Sequence, residues 1–260
     1  MKIAILYICT GKYDVFWSEF YDSCKKMFCE EHLKNFFVFT DSQRIHGDEH
    51  VSIIYQDNLG WPFNTLYRYK MFLRIEEQLL NFDKVVFFNG NCVFVDNIEF
   101  NEFFGVESKL LACLHPGFFD KNHEEYTYEK RETSTTFVMK PWKYFAGGIN
   151  GGDSRLFLEM CHKISENIEI DLNNGIVALW HDESHWNALL NNERGLIEPI
   201  LHILSPAYLY PNGWKIPFSA KIRLRDKNNY GGHGFLRGES KMKSRVKIFL
   251  NFMVGKFKCR

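Results

Sequence analysis

The chain has 260 residues, 45% hydrophobic and 17% aromatic, with 25 Phe. That suffices for one large α/β domain or two small ones and excludes a disordered body. Formal net charge is zero, yet residues 241–260 hold seven Lys/Arg and no Asp/Glu, which leaves 25 basic against 32 acidic side chains elsewhere.

No stretch reaches the roughly 18 apolar residues that a membrane span needs. Ile3 to Cys9 reads as a buried first strand. It passes into Gly11-Lys12-Tyr13-Asp14 without a small-residue cleavage site, so it is not read as a signal peptide. Asp14 to Glu31 has the helical spacing of Phe16, Phe20, Cys24, Met27 and Phe28. Phe36 to Thr40 and Val51 to Tyr55 read as strands. Asn64 to Leu80 reads as one helix, capped by Asn64, with Tyr67, Met71, Ile75 and Leu79 along it. Near its start, Arg68 is either a salt-bridged surface residue or a contact for a diphosphate.

Lys84 to Phe88 is a buried-type strand, and Asn89-Gly90-Asn91 is the turn at its C-terminal end. Ligands of open α/β sheets bind outside such strand ends. An Asp-x-Asp there would read as a metal–diphosphate site. Two asparagines keep the position without the charge and cannot neutralise a cation. The plain alternative is a hairpin turn that uses Asn and Gly for positive φ.

Leu110 to Leu114 is another strand, ending at His115-Pro116-Gly117. Gly147 to Gly152 is glycine-dense and precedes a helix. It reads weakly as a phosphate-cradling loop, or as backbone held close to a ligand where a Cβ would intrude. Ser154 to Glu166 is a helix with Leu156, Phe157, Met160, Cys161 and Ile164 on one stripe. Glu183 to Leu190 is a short helix entered from Trp180-His181-Asp182, with Asp182 as its cap and Glu183 in its first turn. His181 and His185 are four apart, but the Glu between them is out of place for His-Glu-x-x-His zinc ligation. A carboxylate beside a sugar carbon is the functional reading of this segment.

One catalytic-type α/β domain is placed at 1–238, with a mostly parallel sheet, followed by a basic tail at 239–260. On the tail, Met242, Val246, Phe249, Met253 and Phe257 share a helical face, which reads as interfacial, drawn to anionic lipid, or as packed on the domain or a partner. Cys9, Cys24, Cys29, Cys92, Cys113, Cys161 and Cys259 match no zinc pattern, and several lie in apolar runs, which points to a reducing compartment.

These motifs together resemble glycosyltransferase family six, which includes the histo-blood-group A and B transferases and α1,3-galactosyltransferase. The resemblance rests on six blocks in order over roughly residues 3 to 210. They are Phe37-Val38-Phe39-Thr40-Asp41, Leu114-His115-Pro116-Gly117-Phe118, Tyr126-Thr127-Tyr128-Glu129-Lys130-Arg131, Gly147 to Gly152, Trp180 to His185 and Leu204-Ser205-Pro206. It implies the GT-A fold, a Rossmann-like, mostly parallel sheet flanked by helices. It also implies transfer of galactose or N-acetylgalactosamine from UDP, with retention, to the 3-hydroxyl of a galactoside, here expected to be fucosylated. By position, Ile8, Thr10 and Tyr13 would hold uridine, and Arg68 would sit near the sugar and diphosphate. Asn89 and Asn91 occupy the Asp-x-Asp positions. His115, Thr127 and Trp180 would contact the acceptor. Glu183 would be the nucleophile or the stabiliser of an oxocarbenium-like transition state, facing donor and acceptor alike, and Asp182 would bind the donor sugar's hydroxyls. Ala146, Gly147 and Gly148 would line the donor pocket. Small residues at 146 and 148 leave room for an N-acetyl group, which favours UDP-N-acetylgalactosamine over UDP-galactose.

The departures are as informative. Animal members begin with a membrane anchor and hold Mn²⁺ on Asp-x-Asp. A chain that starts at its first strand is expected to be a bacterial, cytoplasmic member, with peripheral contact to the inner face of a membrane through its tail. Asn-Gly-Asn implies that no divalent metal is required, with cations such as Arg68, Lys227 and Arg237 carrying the diphosphate instead. The family's acidic acceptor ligand after Leu204-Ser205-Pro206 is replaced by Tyr210-Pro211-Asn212. No nucleic-acid partner is expected. Two rivals stand beside this reading. One is a retaining glycoside hydrolase using Glu183 and Asp182, which adjacent positions on one helix turn disfavour. The other is a non-catalytic UDP-sugar binder, which the retained Glu183, His115 and Thr127 disfavour.

Overall fold

Ten strands build two sheets in a computed structural model that describes residues 1–238. The tail read at 239–260 therefore lies outside the described residues. The strands are β1 (Lys2–Ile8), β2 (Leu33–Thr40), β3 (Val51–Tyr55), β4 (Lys84–Phe88), β5 (Cys92–Phe94), β6 (Leu110–Leu114), β7 (Phe145–Asp153), β8 (Leu201–Leu204), β9 (Tyr210–Pro211) and β10 (Ile222–Leu224). Seven form one sheet in the order β3-β2-β1-β4-β7-β6-β8, and the order β5-β10-β9 makes a second. In the large sheet only β7 runs against its neighbours, β4 and β6. The expected mostly parallel, doubly covered sheet is the one observed.

Alternate residues of a strand face opposite sides of its sheet, so an almost uniformly apolar strand feeds two cores. Ile3, Ile5, Tyr7, Val86 and Phe88 pack on one side with Trp17 and Phe20 of α1 (Trp17–Met27). Ala4, Leu6, Val85 and Phe87 pack on the other. There they meet a run of three short helices, α2 (Phe63–Leu66), α3 (Arg68–Leu73) and α4 (Glu76–Leu79). Phe100–Phe104 forms α5, Ser154–Asn173 forms α6 beside α3, and Asp182–Asn192 forms α7 against β7.

Three expectations need correction. The helix read from Asn64 to Leu80 is broken, because Tyr67 (φ −90°, ψ 12°) and Ile75 (φ −123°, ψ 24°) leave helical geometry. Asn64 is not its cap: its side chain instead bridges Leu59 N at 2.8 Å and Asn58 Oδ1 at 2.7 Å. The glycine-dense 147–152 segment is no phosphate loop but the middle of β7. A Cβ on Gly151 would fall 2.3 Å from Val85 O, so only glycine lets β4 and β7 approach this closely. Lastly, Asp182 does not cap α7. The N-cap is His181, and the Asp182 side chain turns to Arg68.

Two features of the sheet place the site. Chain order reverses between β1, which continues to β2 and β3, and β4 on its other flank, so the loops after β1 and β4 diverge around a crevice. The β6–β7 register also jumps, from Ala112 opposite Asn150 to Cys113 opposite Ala146, and frees Gly147 to Ile149 as a bulge beside that crevice.

Candidate active site

The crevice is a cleft of about 160 Å³. Ile8 and Thr10 at the end of β1 and Tyr13 in the following 3₁₀ turn make one wall; Arg68 and Asn89 lie across from it. The loop after β1 is pinned by Thr40 Oγ1, which donates to Cys9 O at 2.8 Å, and by Gly11 N, which donates to Asp41 Oδ1 at 2.8 Å. Residues 227–238 complete the cleft. Lys227 opens a 3₁₀ turn whose Asp226 cap accepts from Asn228 N, and the short helix Gly232–Leu236 delivers Arg237. The segment is held by Lys12 N to Leu236 O at 2.8 Å and by Asn58 Nδ2 to Arg237 O at 3.0 Å. Lys227 Nζ lies 5.5 Å from the Tyr13 ring centroid, and the Arg237 guanidinium 4.9 Å from that of Trp61. Burial, with Arg237 and Arg68 nearby, lowers the Lys227 pKa to about 8. Three cations, Arg68, Lys227 and Arg237, thus line a cleft to which the described residues contribute no carboxylate.

At the inner end, Arg68, Asp182, Glu183 and the Gly147 peptide form one network. Arg68 is only 6% exposed; it pairs with Asp182 Oδ2 at 2.9 Å and donates to Gly147 O, while Phe87 lies under its guanidinium at 4.3 Å. Gly147 N in turn donates to Glu183 Oε2 at 2.7 Å. A Cβ on Gly147 would stand 3.1 Å from both Asp182 Oδ2 and Glu183 Cβ, close enough that these side chains would have to shift by a few tenths of an ångström. Burial raises the Asp182 carboxyl to about 7 against the pull of Arg68, and burial likewise raises Glu183. His181, just before the pair, has φ 54° and ψ −123°, a region that L side chains rarely occupy, and its ring packs edge-on to Trp61 at 4.9 Å. Such strain is held only where the surroundings over-determine it, as they do at functional sites.

Asn89 and Asn91 part company. Asn89 lines the cleft; its N donates to Gly148 O at 2.8 Å, and its Oδ1 accepts from Gly90 N at 3.1 Å. Asn91 is 5% exposed and turned inward. Its Nδ2 donates to Arg225 O at 2.8 Å and its O accepts from Arg225 N at 2.9 Å, which ties the β4–β5 turn to the end of β10. Divalent metals held on Asp-x-Asp need anionic oxygens that offset their dehydration. One amide faces the cleft here, the other is spent on the backbone, and three cations stand opposite, a donor set that does not fit such an ion. Among the described residues no three His, Cys, Asp or Glu side chains come together as metal ligands. His185 is 3% exposed inside α7, with Nδ1 unpartnered.

Of the residues expected on the acceptor side, Trp180 and Thr127 lead toward Glu183 through Tyr144. Trp180, 48% exposed, donates from Nε1 to Thr127 Oγ1 at 2.9 Å, and Thr127 Oγ1 lies 3.3 Å from the Tyr144 hydroxyl, beside Glu183. His115 N donates to Tyr144 O at 3.0 Å, and its Nδ1 accepts from Gly117 N at 3.0 Å, which commits Nδ1 and makes Nε2 the other ring nitrogen. Burial lowers its pKa to about 4, which keeps the ring neutral at pH 7. Ala146 is buried in β7, and Gly148 faces Leu209, whose Cδ2 would be 3.2 Å from an added Cβ. Lysine 227 thus joins Ile8, Thr10, Tyr13, Arg68 and Asn89 in the cleft, Glu183 joins Asp182 and Gly147, and Asn91 stays apart. Sequence reasoning missed Tyr144 and Arg225, which carry no motif; Tyr144 shows only as the last aromatic before a strand.

No helix among the described residues is long and apolar enough to cross a membrane, and Cys9, Cys24, Cys29, Cys92, Cys113 and Cys161 are free and buried. Over 241 residues the chain is 34% identical to the O-antigen biosynthesis glycosyltransferase WbnI of Escherichia coli, covering 91% of this chain and all of that protein. It is 30% identical to the histo-blood group ABO system transferase 1 of Rattus norvegicus over 78% of this chain, and spans 60% of that protein's length. With the globoside alpha-1,3-N-acetylgalactosaminyltransferase 1 of Gallus gallus it shares 26% identity over 88% of this chain and 68% of the relative. The sequence profile of Glycosyltransferase family 6 matches residues 1–230, and with a crevice at the sheet's switch point lined as described, the chain belongs to that family of glycosyltransferases.

Proposed function

We propose that the chain is a retaining hexosyltransferase that moves N-acetylgalactosamine, or galactose, from UDP to the 3-hydroxyl of a galactoside, without a divalent metal. The observation that carries this reading is the cleft lined by Arg68, Lys227 and Arg237, which runs to the Gly147–Glu183 network. Departure of UDP concentrates charge on its diphosphate. Preorganised cations stabilise that charge in place of a metal ion, and the amide of Asn89 adds a neutral hydrogen-bonding group. Uridine lies against Ile8, Thr10 and Tyr13. Arg68 joins the diphosphate end to the sugar end, since it also holds Asp182.

Glu183 stands under the anomeric carbon. The Gly147 N–H orients its carboxylate, and burial makes it a better nucleophile or partner for positive charge than a solvated carboxylate. The same group serves a covalent double displacement and a front-face substitution. His115, Thr127 and Trp180 receive the galactoside, with neutral His115 accepting or donating through Nε2. The short residues Ala146 and Gly148 favour an N-acetyl group on the donor. In E. coli WbnI and the chicken globoside enzyme, the names describe O-antigen biosynthesis and N-acetylgalactosaminyl transfer, which agrees with this reading.

The test is transfer from UDP-N-acetylgalactosamine to a fucosylated galactoside in excess EDTA. Turnover unchanged by EDTA is expected. Activity restored only by Mn²⁺ would remove the metal-independent part, and UDP-sugar binding without turnover in either condition would leave a binding protein.

A further inference from the structure

A second concavity, of about 480 Å³, lies outside the cleft against the small sheet. Arg223 of β10 lies beside Tyr210 of β9 on its floor, and the 212–220 connection makes its rim. That connection is fixed from within. The Tyr210 hydroxyl donates to Trp214 O at 3.0 Å and accepts from Ile216 N at 3.3 Å. Trp214, carried on this connection, is 50% exposed. The concavity borders the proposed acceptor side. A Cβ built on Gly117 would stand 3.3 Å from the His115 ring and 3.7 Å from Trp214 Cη2, and Phe119 packs edge-on to Phe218 of the rim at 5.2 Å.

An exposed indole in a rigid, polar concavity offers a flat apolar face with a hydrogen-bonding edge, which suits the C–H face of a pyranose. Arg223 is exposed beside it; among the described residues it forms no ion pair and no carboxylate lines the concavity. A guanidinium presented without a local counter-charge matches the planar pair of oxygens of a carboxylate. We infer that this concavity binds the second sugar of the acceptor, the one bearing the accepting galactoside, and selects an acidic sugar there, with Trp214 on its ring face and Arg223 on its carboxylate. The assignment rests on the glycosyl-transfer reading and deepens it by naming the acceptor class.

Three acceptors test it: methyl β-galactoside, galactosyl-glucose and galactosyl-glucuronic acid. The expected KM falls about tenfold from the first to the second and about tenfold again to the third, the scale of one good contact and one charge-assisted pair. Trp214→Ala removes the first gain, and Arg223→Gln removes the second alone; donor KM is unchanged in both. If Trp214→Ala leaves the monosaccharide-to-disaccharide ratio intact, the subsite is overturned. Equal KM for glucose and glucuronate overturns the acidic selection. Should no acceptor react, tryptophan fluorescence titration with galactosyl-glucuronic acid in the presence of UDP separates the claims. Saturable binding that Arg223→Gln abolishes upholds the subsite and counts against glycosyl transfer, whereas absence of binding overturns the subsite itself.

Discussion

On the proposed function, Gly147 is the residue on which the catalytic geometry turns. Its N–H holds Glu183, its carbonyl holds Arg68, and its missing Cβ leaves room for Asp182. Gly147→Ala would press a methyl within 3.1 Å of Asp182 Oδ2 and Glu183 Cβ. Since displacement of a reacting group by a fraction of an ångström is costly, kcat is expected to fall about tenfold or more while UDP binding is kept. Wild-type kcat in this variant would detach Gly147 from the chemistry. Removing the carboxylate charge is a harsher test of the same arrangement. Glu183→Gln keeps shape and the Gly147 hydrogen bond but supplies neither nucleophile nor anion, so kcat should drop about 10²- to 10³-fold with donor KM nearly constant. Steady-state rates that stay at the wild-type level would exclude Glu183 from the catalytic role.

At the scale of elements, the 227–238 segment makes the cleft a cationic site. Its Lys227 titrates near pH 8 because burial and the flanking Arg237 and Arg68 disfavour the ammonium. The charged form exists below that pKa and is lost above it. A bound diphosphate restores the charge, so donor KM should rise toward tenfold per pH unit above pH 8, until the pKa of the complex is reached. In Lys227→Arg the guanidinium stays charged and the rise should vanish up to about pH 10. Superimposable KM–pH profiles would mean that Lys227 does not meet the donor's charge. This segment was legible only as scattered basic residues; its fold over the β1 loop depends on its own carbonyls at Leu236 and Arg237, which accept from Lys12 N and from the Asn58 side-chain amide and which side-chain patterns do not encode. Elsewhere legibility followed the side chains. Strands β3, β4 and β6 were read to the residue, since apolar runs bounded by turn residues announce them. Glycines carry no side chain to alternate, and β7 accordingly went unread as a strand. The breaks at Tyr67 and Ile75 went unread too, because no Gly or Pro marks them. Of the residues read from motifs, Asn89 lines the cleft, whereas Asn91, on the same turn, faces inward because the turn, not the motif, sets its direction.

For the molecule as a whole, the site's requirements appear as a pH-dependent balance of stability. Folding buries His185, whose pKa falls to about 4, with no partner for Nδ1. It also buries Asp182, whose carboxyl rises to about 7. The signs oppose each other. With a depressed folded pKa, His185 lets the unfolded chain bind more protons between about pH 4 and 6.5, so its contribution is full above pH 6.5 and is lost on acidification. With a raised folded pKa, Asp182 binds its proton more tightly in the native state, so its contribution is full below pH 4 and is lost as pH climbs to 7. The two slopes oppose each other between pH 5 and 7, alongside those of His115, which burial also lowers to about 4, and of Glu183, which burial raises. A single replacement isolates the share of one group. Between pH 7 and 5 the urea-unfolding stability of His185→Gln should change relative to wild type by about 2 kcal/mol in the direction of gain on acidification, the linkage expected for one histidine over 1.5 pH units. Parallel stability–pH curves for the two proteins would show that His185 is not held neutral by the fold.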